Sequence, residues 1–368
     1  MIAKFNILVI ILLFGSLNLL SFLLIANPLK VNRKANIGFG VFMFLWSTFW
    51  IDEILNLAFG VTLSPVFAIS VSFIQFLTPI IYFFSVLFFV NPGYKFHFSD
   101  AIYLLLPAVF LTVVIFQETS GETGKYKAVL VGMIILQSLF YGFYSYVKIR
   151  KHQKQILDFA SDTTEIDLKW LEYILFLVLS IIIVVSIYNV TFSRNYASLP
   201  INALMLITVF GVAFFSLKQK EIFPVRLQQG EEILEMETIN PSSEVRRKVL
   251  ADNDLVKLKS KLNRLMQEQK PFRDPEMNLI KLAEMMNLTP HQLSYLINHG
   301  FNENFFQYVN KFRVEMAKEM IAQGNMNNYS MLGIAFESGF NSKTAFNSTF
   351  KKITNQTPSE YRKSGPFL

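Results

Sequence analysis

Along the chain, the spacing of apolar positions changes character once. Up to about residue 217, apolar residues come in long runs divided by short polar stretches, and beyond it they recur every three or four positions among charges. The runs lie near 6–26, 36–59, 66–90, 100–117, 126–148, 170–192 and 200–217. Each is long enough as a helix to cover about 30 Å of hydrocarbon, the shortest two only just. Polar breaks separate them at Asn27–Lys34, at Asn91–Asp100 with its Pro92-Gly93 pair, and at the charged stretch Lys148–Lys169. The expected fold is all-α, with residues 1–217 forming a seven-helix transmembrane bundle and a polar helical part following it.

Charge sets the expected orientation. Lys30, Arg33, Lys34, Lys95, Lys148, Arg150, Lys151, Lys154, Lys169, Lys218 and Lys220 flank one side of the runs, against Lys4, Lys125, Lys127 and Arg194 on the other. The richer side is the cytoplasmic one. The amino terminus is then outside, and the carboxy-terminal third reaches the cytoplasm from a bacterial inner membrane crossed several times. Because Lys4 precedes an apolar core, the first run also fits a cleaved signal peptide. Against that reading, no clean small-x-small cleavage site closes the run, and removing one span would put Lys30–Lys34 on the outside.

The outer loops, near 60–65, 118–125 and 193–199, are too short to fold a ligand-binding domain. A stimulus must therefore be met within the bundle, at its mouth or in the lipid, which points to a small or lipophilic ligand. Asp52 and Glu53 follow Trp46 and Trp50 inside the second run, and charges at that depth mark a possible sensing site. Equally open is a helix that ends near Ile51, with both acids in the headgroup region and Trp50 as interfacial anchor. Gln75, Gln137 and Asn189 are single polar residues suited to interhelical hydrogen bonds, and Pro79 and Pro107 are expected to mark kinks.

Composition narrows the chemistry. At 52% apolar residues and a mean hydropathy of +0.37, the chain is too apolar for one soluble globule. A net charge of +7 suits either anionic headgroups or nucleic acid. The absence of cysteine excludes thiolate chemistry, and His97, His152, His291 and His299 lack metal-ligand spacing, so no cofactor or metal is expected. No HExxH, GxSxG or P-loop pattern marks an enzyme.

Residues 218–252 read as a linker, with the acids Glu231, Glu232, Glu235 and Glu237 and the breaker Asn240-Pro241-Ser242-Ser243. If flexible, a stretch of this length spans roughly 30–35 Å on average. In the segment 253–273, Leu255, Leu258, Leu262 and Leu265 are spaced 3, 4, 3 on a helix. That face packs on its own domain or forms a short dimer seam, and both readings stand.

The last part, 274–368, divides into short helices. Asn278–Asn287 turns Leu279, Leu282, Ala283 and Met286 inward. A capping box of Thr289 with Gln292, and Pro290 at the first helical position, then open a second helix with Leu293, Leu296 and Ile297 inward. A long amphipathic helix over Asn304–Ala322 carries Phe305, Tyr308, Val309, Phe312, Met316 and Met320, and Gly324 ends it. Another pair follows from Ser330: Leu332, Ile334, Ala335 and Phe340 are its expected core, Gly339 its turn, and Phe346 with Phe350 the anchor of its second helix. The outer face of that helix carries Lys343, Thr344, Asn347, Ser348, Lys351 and Lys352, polar and basic groups suited to a DNA groove. Thr357 with Glu360 repeats the capping box before a final helix.

The stretches LAEMMNLTPHQLSYLIN, NFFQYVNKFRVEMAKEMI, IAFESGFNSKTAFNSTFKK and TPSEYR resemble the DNA-binding domain of the AraC/XylS family of bacterial transcription regulators, over about residues 274–363. Asn355 stands where the family often has Gly, and the second helix of the first pair lacks Arg and Lys. The resemblance implies two helix-turn-helix units joined by a long helix, whose second helices enter adjacent major-groove segments of double-stranded DNA. Carried over position by position, DNA contact falls on Lys343, Thr344, Asn347 and Ser348, and on His291, Ser294 and Tyr295. The expected function is a membrane-anchored one-component regulator that couples a membrane or extracytoplasmic stimulus to transcription. Its partners would be DNA, membrane lipid, a second copy in a homodimer and, for an activator, RNA polymerase. A channel or transporter with a regulatory carboxy-terminal domain is the alternative, for which no inverted repeat is evident.

Overall fold

The computed structural model describes residues 2–121, 123–191, 198–219, 222, 252–322 and 330–364. The expected linker lies almost wholly outside the described residues, as do Arg194 and Gly324. The chain divides into two compact units, Met1–Lys151 with Leu168–Ile222, and His152–Asp167 with Phe223–Leu368. Among the described residues there are helices and one isolated β-bridge, and no strand.

The first unit is built from α1 (Ile2–Ala26), α2 (Arg33–Ser47), α3 (Ile51–Phe59), α4 (Pro65–Val90), α5 (Leu105–Ser120), α6 (Thr123–Gln155), α7 (Lys169–Thr191) and α8 (Ser198–Lys218). Six stretches among the described residues are long and apolar enough to cross a membrane: Lys4–Ala26, Arg33–Phe59, Pro65–Val90, Phe98–Ser120, Tyr126–Asp158 and Leu199–Lys218. The remaining apolar run of the sequence forms α7, part of whose side chains lie outside the described residues.

Helix α2 lies between α1 and α4, while α1 also packs on α8. Leu13 and Leu17 of α1 and Phe39 and Met43 of α2 are fully buried. Gly40 permits the close approach: a Cβ there would lie 2.7 Å from Ile25 Cγ1, and the Ser21 hydroxyl donates to the Gly40 carbonyl at 2.8 Å. Polar side chains then pin helices together where apolar packing alone has no direction. The Trp50 indole donates to Asn202 Oδ1 at 2.9 Å, and Gln75 Nε2 donates to the Thr48 carbonyl at 3.1 Å. Gln137 Nε2 donates to the carbonyl of Phe76.

Two expectations change. The second run is interrupted by a 3-10 turn over Thr48–Trp50, so α3 begins only at Ile51. Pro107 is not in a helix interior. It stands in the first turn of α5, just after the 3-10 segment Phe98–Leu104, where no intrahelical N–H is needed. Pro79 does lie inside α4.

The second unit contains α9 (Asp252–Glu268), α10 (Leu279–Met286), α11 (Pro290–Phe301), α12 (Phe305–Ala322), α13 (Met331–Glu337), α14 (Lys343–Thr354) and α15 (Pro358–Ser364). Its spine is α12. Phe305, Tyr308 and Val309 from its first half close a core with Leu262 and Met266 of α9, Leu282 and Met286 of α10, and Leu293 and Leu296 of α11. Val314, Ala317 and Ile321 from its second half close another with Ile334, Phe340, Phe346 and Phe350. Because partners cover α12 on two sides, Asn310 and Arg313 are buried along with the apolar stripe. The leucine face of α9 is spent within this unit, with Leu262 fully buried and Leu255, Leu258 and Leu265 packed against the core.

Leu332 departs from its expected core place and is 41% exposed. Helix α13 starts at Met331, so its inward stripe is Met331, Ile334, Ala335 and Ser338, and Leu332 with Phe336 falls on the opposite side.

Candidate nucleic-acid interface

Local sequence dictates where the short helices begin. Asn278 accepts from Lys281 N, Ser330 from Gly333 N and Ser342 from Ala345 N, each capping a helix start. The Thr289 hydroxyl accepts from Gln292 N at 3.2 Å, while the Gln292 side chain accepts from Thr289 N at 3.0 Å. Thr357 and Glu360 make the same reciprocal pair, and the Thr357 N–H and hydroxyl hold the Glu360 carboxyl below the usual carboxylate range. Replacing Ser342 by alanine should cost about 1 kcal/mol in the first turn of α14. Hydrogen exchange of the amides at 343–346 is expected to quicken about fivefold, a shift matching that energy.

The turn between α13 and α14 depends on Gly339. Its φ is +91°, and a Cβ would come 2.2 Å from the Phe272 carbonyl oxygen. Phe346 and Phe350 then bury one side of α14 against α12 and α13, and Ala345 and Thr349 are buried too. That phase leaves Lys343, Thr344, Asn347, Ser348, Lys351 and Lys352 exposed on one face. Lys351 and Lys352 fall in the last turn, where the helix dipole favours cations. The Lys352 ammonium lies 5.4 Å from the centre of the Phe306 ring, which directs it toward the start of α12.

The face of α11 is different in kind. His291 and Asn298 are exposed, and Ser294 and Tyr295 half-buried. Tyr295 packs on the core and stacks on His299, with ring centres 4.0 Å apart and planes 19° apart. Basic groups near it come from α9: Lys261 donates to the Met286 carbonyl at 3.1 Å, and Lys259 lies over the Phe301 ring at 4.8 Å.

A buried arginine unnoticed in the sequence holds the two helix pairs to their spine. Arg313 Nε donates to Phe272 O at 2.7 Å and Nη2 to Asp274 O at 2.8 Å, fixing the chain that leads into α10. Burial pushes its pKa down to about 10, against the pull of Asp162 and Asp274, so it is charged at neutral pH. Burial also pushes the Asp274 carboxyl up, but Lys281, the Glu276 N–H and Arg313 outweigh it and hold it below the ordinary range. Sequence position alone offered one signal, a basic residue four places after Val309 on the inward stripe.

In the first unit, Asp52 and Glu53 are exposed in the first turn of α3. Asp52 Oδ1 accepts from Leu63 N at 3.2 Å, tying α3 to the turn before α4. A separate groove of about 420 Å³ is lined by Leu77, Ile80, Phe84, Phe88, Phe96 and Tyr103, among others, and suits hydrocarbon rather than a polar molecule.

Comparison with known proteins agrees with the geometry of the second unit. Residues 282–364 match the family described as helix-turn-helix domain, of AraC type. An uncharacterized HTH-type transcriptional regulator of Staphylococcus aureus strain COL is 29% identical over 93 residues, which cover 25% of this chain and 12% of that protein. A second such Staphylococcus aureus regulator is 32% identical over 92 residues, again 25% of this chain and 12% of the relative. The chain thus spans a small fraction of the length of the curated relatives it matches. No solved structure matches.

Proposed function

We propose that this protein is a membrane-anchored transcription regulator that binds specific double-stranded DNA from the cytoplasmic face of a bacterial inner membrane. In this reading α10–α11 and α13–α14 are two helix-turn-helix units carried by α12, with α11 and α14 entering adjacent major-groove segments. The single observation that carries it is the α14 face, where Lys343, Thr344, Asn347 and Ser348 stand exposed together on a helix whose other side is buried. Likeness to HTH-type transcriptional regulators over the same residues supports it. His291, Ser294 and Tyr295 are the base- or phosphate-facing groups of the first helix pair, which leaves most of the electrostatic grip to the second pair.

Membrane anchorage is supported by the apolar helices and by their outer faces. Phe22, Leu136 and Phe214 lie mid-helix yet are 67%, 62% and 62% exposed, which water would penalise and lipid would not. Seven spans with the amino terminus outside put the basic loops on the cytoplasmic side. The stimulus then acts on the bundle, where Asp52 and Glu53 present charge and the groove beside Phe84 and Phe88 accepts a lipophilic ligand.

The test uses the full chain in lipid nanodiscs and duplexes that it selects from a random-sequence library. Lys343→Ala is expected to weaken binding about tenfold and to reduce the slope of log affinity against log salt by about one. A wild-type chain that retains no duplex at low salt overturns the reading.

A further inference from the structure

The segment His152–Asp167 lies in sequence between two apolar helices, yet it belongs to the second unit. Its 3-10 turn, Ile156–Asp158, packs on α12. Ile156 is fully buried, and Phe159 lies against the core of the first helix pair. The following residues pair with the chain entering α10. Leu279 N donates to the Phe159 carbonyl at 2.9 Å, Ala160 and Asn278 form an antiparallel bridge, and the Ser161 hydroxyl donates to the Met277 carbonyl. From α12, Asn310 Nδ2 donates to Ser161 O at 2.8 Å. Arg313 Nη1 and Nη2 reach Ser161 O and Ser161 Oγ at 3.3 and 3.0 Å.

Resting on the DNA-binding reading above, we propose that α12 and the Met277–Leu279 segment form an intramolecular docking surface. Its occupant is the strap 152–167, and strap docking switches the DNA-binding unit into its competent form. Three features carry this. The strap is covalently continuous at both ends with helices of the apolar unit, α6 and α7, so any change in their packing acts on it directly. Its seat meets the strap's backbone and Ser161 with the Met277 carbonyl, the Leu279 N–H, the Asn310 amide and the Arg313 guanidinium, polar groups that water can satisfy on release, while Ile156 and Phe159 are the strap's apolar anchors. The groups it occupies, Asn310 and Arg313, lie on the helix that bears both helix pairs, so release frees the element that sets their spacing on DNA.

The chain has no cysteine, so a pair introduced at Ala160→Cys and Asn278→Cys has only itself to bridge, and residues opposite in a bridge lie within disulfide reach. In nanodiscs, the oxidised double variant is expected to bind the selected duplex at least as tightly as its reduced form, which shares the loss of the Asn278 cap. Ile156→Arg, which leaves 252–364 untouched, should weaken binding at least tenfold, and the same change in the oxidised pair should restore it to within about twofold. Ser161→Ala, which removes only the hydroxyl, should weaken binding about threefold. Failure of the pair to cross-link in membranes overturns the proposal, as does an Ile156→Arg or Ser161→Ala chain that binds as wild type, or an Ile156→Arg chain that the cross-link fails to rescue. Absence of duplex binding by the wild-type chain is a different result and overturns the DNA-binding reading itself.

Discussion

Gly339→Ala is expected to abolish specific DNA binding while the first helix pair stays folded. Two penalties coincide at this residue. A left-handed backbone costs an ordinary L-residue about 1–2 kcal/mol, and φ is +91° here. The larger penalty is steric, because the new Cβ would sit 2.2 Å from Phe272 O and 2.8 Å from Arg273 Cα, backbone atoms that no rotamer change can move. The turn must back away from the 272–273 segment, breaking the Arg273–Glu337 ion pair beside it and shifting a carbonyl that Arg313 Nε uses. We expect a loss of about 4 kcal/mol or more, at the exceptional end for one substitution. Hydrogen exchange should accelerate across 331–354 and not across 279–301, and duplex affinity should fall at least a hundredfold. Uniform protection with retained affinity would contradict the account.

The second large effect is expected at Arg313. Its five N–H groups have acceptors in Phe272 O, Asp274 O, Asn310 Oδ1, Ser161 O and Ser161 Oγ, a fork that spans three separate pieces of chain. Lysine keeps the charge but offers three donors from one point and cannot reach acceptors arranged around a plane. Arg313→Lys should therefore destabilise the second unit by about 3 kcal/mol, the range for breaking a buried charge's partners. Tryptophan fluorescence would miss this, because Trp46, Trp50 and Trp170 all lie in the first unit. Exchange at amides 279–286 and 305–314 reads it, and unchanged protection there would show that charge alone, not the fork, holds the site.

Of these two residues, Gly339 was legible as a turn, and Arg313 marks where sequence reasoning stops. Capping boxes were legible because Thr289 with Gln292, and Thr357 with Glu360, act across three residues and need nothing else. The polar face of α14 was legible because Phe346 and Phe350 fix the phase of one short helix. Arg313 was not, since four of its five acceptors lie 39 to 152 positions away, and periodicity carries no information about them. The strap escaped for the same reason: 152–167 reads as an ordinary charged loop, and only its partners at Met277–Leu279 and on α12 give it a role. Leu332 misled because it stands two residues into a seven-residue helix, too short for spacing to define a face.

The pairing of Ser161 with Met277, 116 positions apart, also constrains how the chain is threaded. In the membrane-anchored reading proposed above, both partners must end on the same side of the membrane, so the number of crossings between them has to be even. Helices α7 and α8 satisfy this only as a couple. A chain in which one of them failed to cross would leave the strap on one face and its acceptors on the other, and Arg313 would be buried without Ser161. Ribosomal synthesis at about 5–20 residues per second delivers the strap roughly 6–23 s before Met277 emerges. On that same reading the strap waits through the threading of both helices, and closure of the second unit becomes a parity check on membrane insertion, applied before any promoter is met.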